Sequence, residues 1–493
     1  MTPQDFKGKR IVVMGLGLHG GGRSAAQWCY EQGADVLVTD MKDENALRSS
    51  IIALNKSARS YRLAHPRQEL ISLSFALGGH RDRDFESADM IIQNPGVPRE
   101  SRFLSIARSN GIAIHNEATL FYQLTPNTPK IAVTGTRGKS STAALIHHIL
   151  KSHYSDTILV GVANAPESYS FLSVITSIRE QERNGSLFTV VMELSSWQLE
   201  LFKEYGCHPW ISVLTNVLDD HLNRYPSFES YRDAKKLIYQ YQEKSEHTVL
   251  NRDNEHTRAL GEAGVPGTLV WFSRTEKLSS KGCMMEGTSM HCSEIEKNEF
   301  LCDIAGITEK KPHMTENILA ASAAVLCVGV TQKILCDAIN SFPGLPGRLE
   351  FIGQRDGRSC YDDTTATSPD ATRAALRSLG DENEPRVILI AGGADKNCDY
   401  SNLGSDIGKY CRALILLSGT ASPRLATAIG SFSGTVAYAN SMQEAVDKAW
   451  SVSRESDILL LSPAAASFGM FVNEFDRGLA FRHALGKLPS SPS

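Results

Sequence analysis

The residues best suited to chemistry lie at 130–151, KIAVTGTRGKSSTAALIHHILK. The apolar run Ile131, Ala132 and Val133 leads directly into Gly135-Thr136-Arg137-Gly138-Lys139-Ser140-Ser141. Helical spacing follows at Ala144, Leu145, Ile149 and Leu150. Strand, loop and helix in that order predict a phosphate cradle. Glycines let the backbone close around an anion and amides at the helix start face it. Lys139 adds a compact charge, and the Ser140 hydroxyl reaches a phosphate-bound Mg²⁺. Val133 stands where the commoner G-x-x-x-x-G-K-[ST] loop has its first glycine, so this is the shorter G-T-x-G-K-S form.

Other candidates are more ambiguous. Gly15-Leu16-Gly17-Leu18-His19-Gly20 follows a buried-strand pattern at 9–14, and a second strand at 36–39 ends in Asp40. This is the layout of a dinucleotide fingerprint, with an acid about 20 positions on to hold a ribose hydroxyl. The same turn serves a uridine nucleotide or no ligand, so the ligand stays open. The strand at 89–92 runs into Gln93-Asn94-Pro95-Gly96-Val97-Pro98, which by residue type reads as a strand-ending turn. Glu193 follows a strand at 188–192 and is either a second Mg²⁺ ligand or a helix-start acid favoured by the dipole. Asp220 and His221 follow a strand at 210–214, at the end where parallel sheets place their ligands. Lys235 and Lys236 flank the apolar stripe Tyr231, Ala234, Ile238 and Tyr241, and residue types alone make them a solvated face. Asn317, on an alanine-rich helix at 313–330, reads as a cap or an exposed residue.

Strands alternating with helical segments must position these groups, which predicts an α/β fold with parallel or mostly parallel sheets covered on both faces. Thr-Pro-Asn-Thr-Pro at 125–129 marks one boundary and the Pro/Gly stretch at 341–350 another. Three domains follow: a Rossmann-like domain at 1–125, a central P-loop-type ATP-binding α/β domain at 126–342, and a C-terminal Rossmann-like α/β domain at 343–493. Residues 277–297 are polar and mixed and predict no element. In the last domain, polar clusters at 361–369, 392–396 and 462–468 each follow a strand pattern.

Hydrophobic residues at 42%, charged residues at 22% and a net charge of -4 exclude a disordered chain and offer no global basic surface for nucleic acid. The ten cysteines include no C-x-x-C pair, and Cys283, His291, Cys292 and Cys302 fit no short zinc pattern, so reduced thiols in a cytosolic protein are expected. The first ten residues lack an apolar signal core, and the longest apolar runs, at 387–391 and 458–461, are far too short to span a bilayer. Cytoplasmic residence, without a membrane partner, is the expectation.

Six separated motifs then agree: TGTRGKSST at 134–142, ELSSWQLE at 193–200, DHLNRYP at 220–226, YRDAK at 231–235, GLPGRLE at 344–350 and SPAAAS at 462–467. With them the chain resembles the ATP-dependent Mur ligases of peptidoglycan synthesis, over residues 11–478. It is most similar to the branch that adds D-glutamate to UDP-N-acetylmuramoyl-L-alanine through an acyl phosphate. The resemblance implies that Gly17, Leu18, Asp40, Gly96 and Asn164 hold the uridine nucleotide of the substrate. It implies ATP contacts at Gly135, Thr136, Arg137, Gly138, Lys139, Ser140, Ser141, Asn317, Arg348 and Asp363. Ser140 and Glu193 would ligate one Mg²⁺ and His221 a second. Lys235 would be an N-carboxylated (carbamylated) ligand, which reverses its reading as a solvated lysine. Lys139, Glu193, His221 and Lys235 form the implied catalytic set, and Thr367, Lys396, Ser467 and Phe468 would take glutamate. A monomer acting on small molecules is implied.

Three departures from the family pattern bear on the amino acid. Thr365 replaces a lysine, Met314 replaces an asparagine after His313, and Glu474 replaces a phenylalanine, with Phe475 one position later. An L-glutamate ligase is therefore the nearest alternative, followed by a folylpolyglutamate synthase, which the full first domain disfavours. Alternatives of other kinds are a dinucleotide-dependent oxidoreductase built on Gly15 to Gly20 and a non-catalytic nucleotide-binding regulator.

Overall fold

The computed structural model describes residues 1–17, 21–66, 71–154, 156–163, 165–218, 224–294, 297–308, 312–396 and 398–488. They form two compact units, residues 1–304 with 316–342, and residues 305–315 with 343–493.

The first unit contains two sheets. Strands β1 (Arg10–Met14), β2 (Asp35–Asp40), β3 (Leu73–Leu77), β4 (Met90–Gln93) and β5 (Ala113–His115) are all parallel, in the order β3-β2-β1-β4-β5. The chain builds outward from β1 in one direction and then returns to build from its other side. That leaves a crevice at the carboxyl ends of β1 and β4, where open parallel sheets bind ligands. The glycine turn leaves β1 at this point. A Cβ on Gly22 would stand 2.1 Å from the Gly15 carbonyl oxygen, so helix Gly21–Glu31 approaches the strand end only because that position lacks a side chain.

The second sheet comprises β6 (Lys130–Thr134), β7 (Ile158–Val160), β8 (Ser168–Tyr169), β9 (Val190–Glu193), β10 (Ile211–Leu214), β11 (His247–Asn251), β12 (Thr268–Ser273), β13 (Gly282–Glu286), β14 (Ser289–Glu294) and β15 (Lys297–Asp303). Their order is β15-β14-β13-β12-β11-β10-β6-β9-β7-β8, parallel from β8 through β13 and antiparallel thereafter. Residues 277–297, which predicted no element, therefore supply most of an antiparallel edge. Glu286 pairs with Ser289 around a two-residue turn, with Gly287 at φ +64° as such hairpins require. All five residues of β6 are buried, and β10 and β9 flank it on opposite sides, so the crevice at its carboxyl end is again a switch point. Buried side chains of both sheets join in one core, with Phe121 set edge-on to Phe171 at 5.9 Å between centroids.

The second unit is built on β16 (Glu350–Arg355), β17 (Arg358–Asp362), β18 (Val387–Gly392), β19 (Cys411–Leu417), β20 (Thr435–Ala439) and β21 (Ile458–Leu461), in the order β16-β17-β21-β18-β19-β20. Only β16 runs antiparallel. The Val/Ile/Leu runs of β18 and β21 are buried because helices cover both faces, and the late insertion of β21 between β17 and β18 gathers three strand-end loops.

Candidate active site

The loop after β6 opens onto helix Lys139–Lys151, which Gly138 caps in the left-handed conformation at φ 80°, ψ −10°. A Cβ there would meet Asn317 Oδ1 at 2.3 Å, and one on Gly135 would meet Thr215 Oγ1 at 1.9 Å. Both glycines are thus fixed by close approach as well as by backbone conformation. The end of β10 holds the loop from behind. Thr136 N donates to Asn216 O at 2.9 Å, Arg137 N to Asn216 Oδ1 at 2.9 Å, and Thr215 Oγ1 to Arg137 O at 2.5 Å. Lys139 Nζ donates to Thr136 O at 3.0 Å, so the lysine lies along the loop it would serve.

The register Val133↔Glu193 brings Glu193 alongside this loop, and Ser140 Oγ donates to Glu193 Oε2 at 2.6 Å. Two hard oxygen donors at the mouth of a phosphate loop fit Mg²⁺, which takes one or two protein oxygens and completes its shell with phosphate and water. Among the described residues no cluster of three or more His, Cys, Asp or Glu forms a ready metal cage. Lys235 is buried, not solvated. Its Nζ donates to Gly135 O at 2.7 Å and lies 4.6 Å from the Tyr231 ring centroid, while the Tyr231 hydroxyl is 3.1 Å from Thr136 Oγ1. Asn317 is buried too, accepting from Thr142 Oγ1 at 3.2 Å on the first turn of the helix. Gly135, Thr136, Arg137, Gly138, Lys139, Ser140, Glu193, Lys235 and Asn317 are thus brought together around one loop, with Ser141 on the helix it starts. His221 lies outside the described residues.

At the first sheet, Asp40 Oδ2 accepts from Leu16 N at 2.9 Å and Gly17 N at 3.3 Å, and Oδ1 accepts from Lys42 N at 2.9 Å. The carboxylate therefore closes the glycine turn through its amides, the groups that a dinucleotide pyrophosphate would need. Asn94 packs against Gly15 and accepts from Gly96 N at 3.0 Å. Arg224 belongs to the DHLNRYP motif at 220–226. Its guanidinium donates to the carbonyls of Gly96 at 3.3 Å and Val97 at 3.1 Å, lies 4.6 Å from the Trp197 ring centroid, and ion-pairs with Glu200 at 3.7 Å. It ties the 94–97 loop of the first sheet to the residues following β9. Leu18 and Asn164 lie outside the described residues.

In the second unit, Asp363 accepts from Leu349 N at 3.0 Å and Ser462 Oγ at 2.8 Å, and burial pushes its carboxyl up to about 7. Leu349 holds φ +44° beside Arg348. Thr365, the residue in place of a lysine, donates through Oγ1 to Gly347 O at 2.9 Å. Lys396 Nζ donates to Thr367 Oγ1 at 3.2 Å, and the Ala394–Ala466 bridge draws the next loop in. Ser467 is buried at its end, whereas Phe468 is 51% exposed.

Three family models together cover most of the chain: Mur ligase MurD-like, N-terminal domain, over residues 9–116; Mur ligase middle domain over 133–325; and Mur ligase, glutamate ligase domain over 347–465. A UDP-N-acetylmuramoylalanine--D-glutamate ligase from Roseiflexus sp. (strain RS-1) is 35% identical over 487 residues, covering 97% of this chain and 98% of that one. The chain belongs to the Mur ligase family. Ligases of the same description from Geobacter metallireducens, at 33% identity, and Clostridioides difficile, at 31%, each match 98% of this Mur ligase and 98% and 100% of their own lengths. Among solved structures, the UDP-N-acetylmuramate-alanine ligase MurC of Thermotoga maritima shares the fold with a TM-score of 0.58 at 18% identity, covering 97% of this chain and 99% of its own. The MurF ligase of Thermotoga maritima in complex with ADP does so with a TM-score of 0.56 at 14%, covering 98% and 95%.

Proposed function

We propose that this chain joins D-glutamate to UDP-N-acetylmuramoyl-L-alanine in peptidoglycan synthesis, converting ATP to ADP and phosphate. The observation that carries the reading is the Ser140–Glu193 contact at the mouth of the Gly135–Lys139 loop, in a chain that matches D-glutamate ligases along nearly its whole length. We take 1–125 as the domain for the uridine nucleotide, 126–342 as the ATP domain and 343–493 as the glutamate domain.

A carboxylate is a poor electrophile, so the alanine carboxylate of the substrate first takes the γ-phosphoryl group as an acyl phosphate. Bound Mg²⁺ offsets the charge that builds on the transferring group. Ser140 and Glu193 would hold that ion, and Lys139 takes the β- and γ-phosphates. Gly135, Thr136, Arg137, Gly138 and Ser141 shape the cradle, and Asn317, Arg348 and Asp363 complete the ATP contacts. We assign His221 to a second Mg²⁺, and an N-carboxylated Lys235 would help position the Mg²⁺. The modification converts a cation into an anion beside the loop. The glutamate amine, with its carboxylates on Thr367, Lys396, Ser467 and Phe468, then attacks the acyl carbon and phosphate leaves.

Gly17, Leu18, Asp40, Gly96 and Asn164 hold the uridine nucleotide. The closure of the glycine turn by Asp40 supports this over a dinucleotide oxidoreductase. We take the working form as a cytoplasmic monomer. No helix among the described residues is long and apolar enough to cross a membrane. Lys139→Ala tests the reading: it should abolish ATP-dependent ligation while the chain stays folded, and near-normal turnover would overturn the assignment.

A further inference from the structure

Arg477 is the largest fully buried side chain among the described residues. It lies on helix Glu474–Gly486, and each of its hydrogen bonds goes to a neutral acceptor. Nε donates to Thr364 Oγ1 at 3.2 Å, Nη2 to Thr364 O at 2.8 Å, and Nη1 to Ala465 O at 3.1 Å. Thr364 Oγ1 in turn donates to Glu474 O at 2.6 Å, which fastens the loop to the start of the same helix. Two neighbouring features require this close seat. A Cβ on Gly478 would stand 2.9 Å from Thr364 Cγ2, and Arg482 reaches Asp362 Oδ2 at 3.1 Å from the next turn. A buried arginine bonded to two carbonyls and a hydroxyl instead of carboxylates is costly to desolvate, and burial pulls its guanidinium down to about 10 although the charges of Glu474, Asp362 and Asp363 partly offset it. Such a group stabilises the fold less well than an apolar side chain of similar volume, so its use must lie in what it holds.

It holds the loops following β17 and β21, which carry Thr367 and Ser467. The loop after β18, which carries Lys396, is joined to both by the Lys396–Thr367 hydrogen bond and the Ala394–Ala466 bridge. We propose that Arg477 is a positioning residue of the amino-acid site: by clamping Thr364 to Ala465 it sets the spacing of Thr367, Lys396 and Ser467 that receives the incoming amino acid's carboxylates. The inference rests on the glutamate site assigned above. Arg477 acts through these loops and touches no substrate.

Steady-state kinetics of Arg477→Lys and Arg477→Ala test it, with phosphate release measured while glutamate, UDP-N-acetylmuramoyl-L-alanine and ATP are varied separately. Lysine keeps the charge but cannot reach three acceptors on two loops in a planar fork. Misplacement of about an ångström predicts a KM for glutamate raised roughly 10- to 100-fold, with the KM values for the other two substrates within about 3-fold of wild type. Millimolar methylguanidinium should lower the glutamate KM of Arg477→Ala and leave that of Arg477→Lys unchanged. A merely structural role predicts equal loss toward all three substrates and no rescue of the glutamate KM, and either result would overturn the proposal. If Arg477→Ala does not fold, the split in Arg477→Lys decides alone. Wild-type enzyme that turns over no glutamate would instead refute the assigned function, which keeps the two failures apart.

Discussion

Gly138→Ala probes the loop most directly. The substitution places alanine at φ 80°, in the left-handed region, which costs about 1–2 kcal/mol. Its Cβ would also lie 2.3 Å from Asn317 Oδ1, so Asn317 must swing away and release its hydrogen bond from Thr142 Oγ1, a further loss of about 1 kcal/mol. The sum, about 2–3 kcal/mol, is read from urea unfolding followed by tryptophan fluorescence, since Trp28, Trp197, Trp210 and Trp271 all lie in the first unit. Displacing the loop amides and Asn317 together should raise the KM for ATP by about 100-fold and leave the glutamate KM unchanged. The decisive comparison is a double-mutant cycle with Asn317→Ala. Once the asparagine side chain is gone the steric part vanishes, and Gly138→Ala should cost about 1 kcal/mol less than in the wild-type background. Strictly additive costs, or a Gly138→Ala enzyme with wild-type stability and ATP dependence, would refute the packing of Asn317 on the loop.

Glu193→Gln removes the anionic partner of Ser140 while keeping its shape, so the Mg²⁺ concentration needed for half-maximal activity should rise at least about 10-fold; an unchanged Mg²⁺ titration would contradict its role as ligand. Lys235→Ala should lose activity and regain part of it with short-chain carboxylic acids, which replace the anion that N-carboxylation supplies; full activity without added acid would refute the role of Lys235 as a ligand. Asp363 predicts a pH effect on stability. Its folded carboxyl keeps a proton to about 7 because of burial, whereas the unfolded one loses it near the ordinary carboxylate value. The native state therefore binds more protons between those values, and stability falls as pH rises through them, by up to about 4 kcal/mol in total. Asp363→Asn should remove this slope from the unfolding of the second unit, and a slope retained in the variant would assign it to other groups.

The phosphate loop was legible because its signal is local: strand, glycine, lysine, hydroxyl and helix follow one another within a single stretch. Glu193 was ambiguous for the opposite reason. Whether it is a metal ligand or a helix-start acid depends on the β6–β9 register, which joins residues 53 positions apart at the Ser140 contact. Lys235 looked solvated because residue type reports average burial, while its partner, the Gly135 carbonyl, is 100 positions away. Arg224 and Arg477 were passed over because their partners are mainly backbone carbonyls, which leave no trace in residue identity. The antiparallel edge from β13 to β15 was missed because its alternation is short and interrupted. Its Gly287-Thr288 turn was the one local cue available. The three-sheet α/β architecture was readable, since long Val/Ile/Leu runs such as β18 need burial on both faces.

The central claim is ligation of D-glutamate to the nucleotide substrate, and mass spectrometry of the product tests it most directly. With UDP-N-acetylmuramoyl-L-alanine, ATP and Mg²⁺, the account predicts a product carrying one added glutamyl residue, formed with D-glutamate in preference to L-glutamate and matched by one phosphate released per bond. Product formed with L-glutamate alone would overturn the stereochemical assignment, and phosphate release without any adduct would contradict the claim itself.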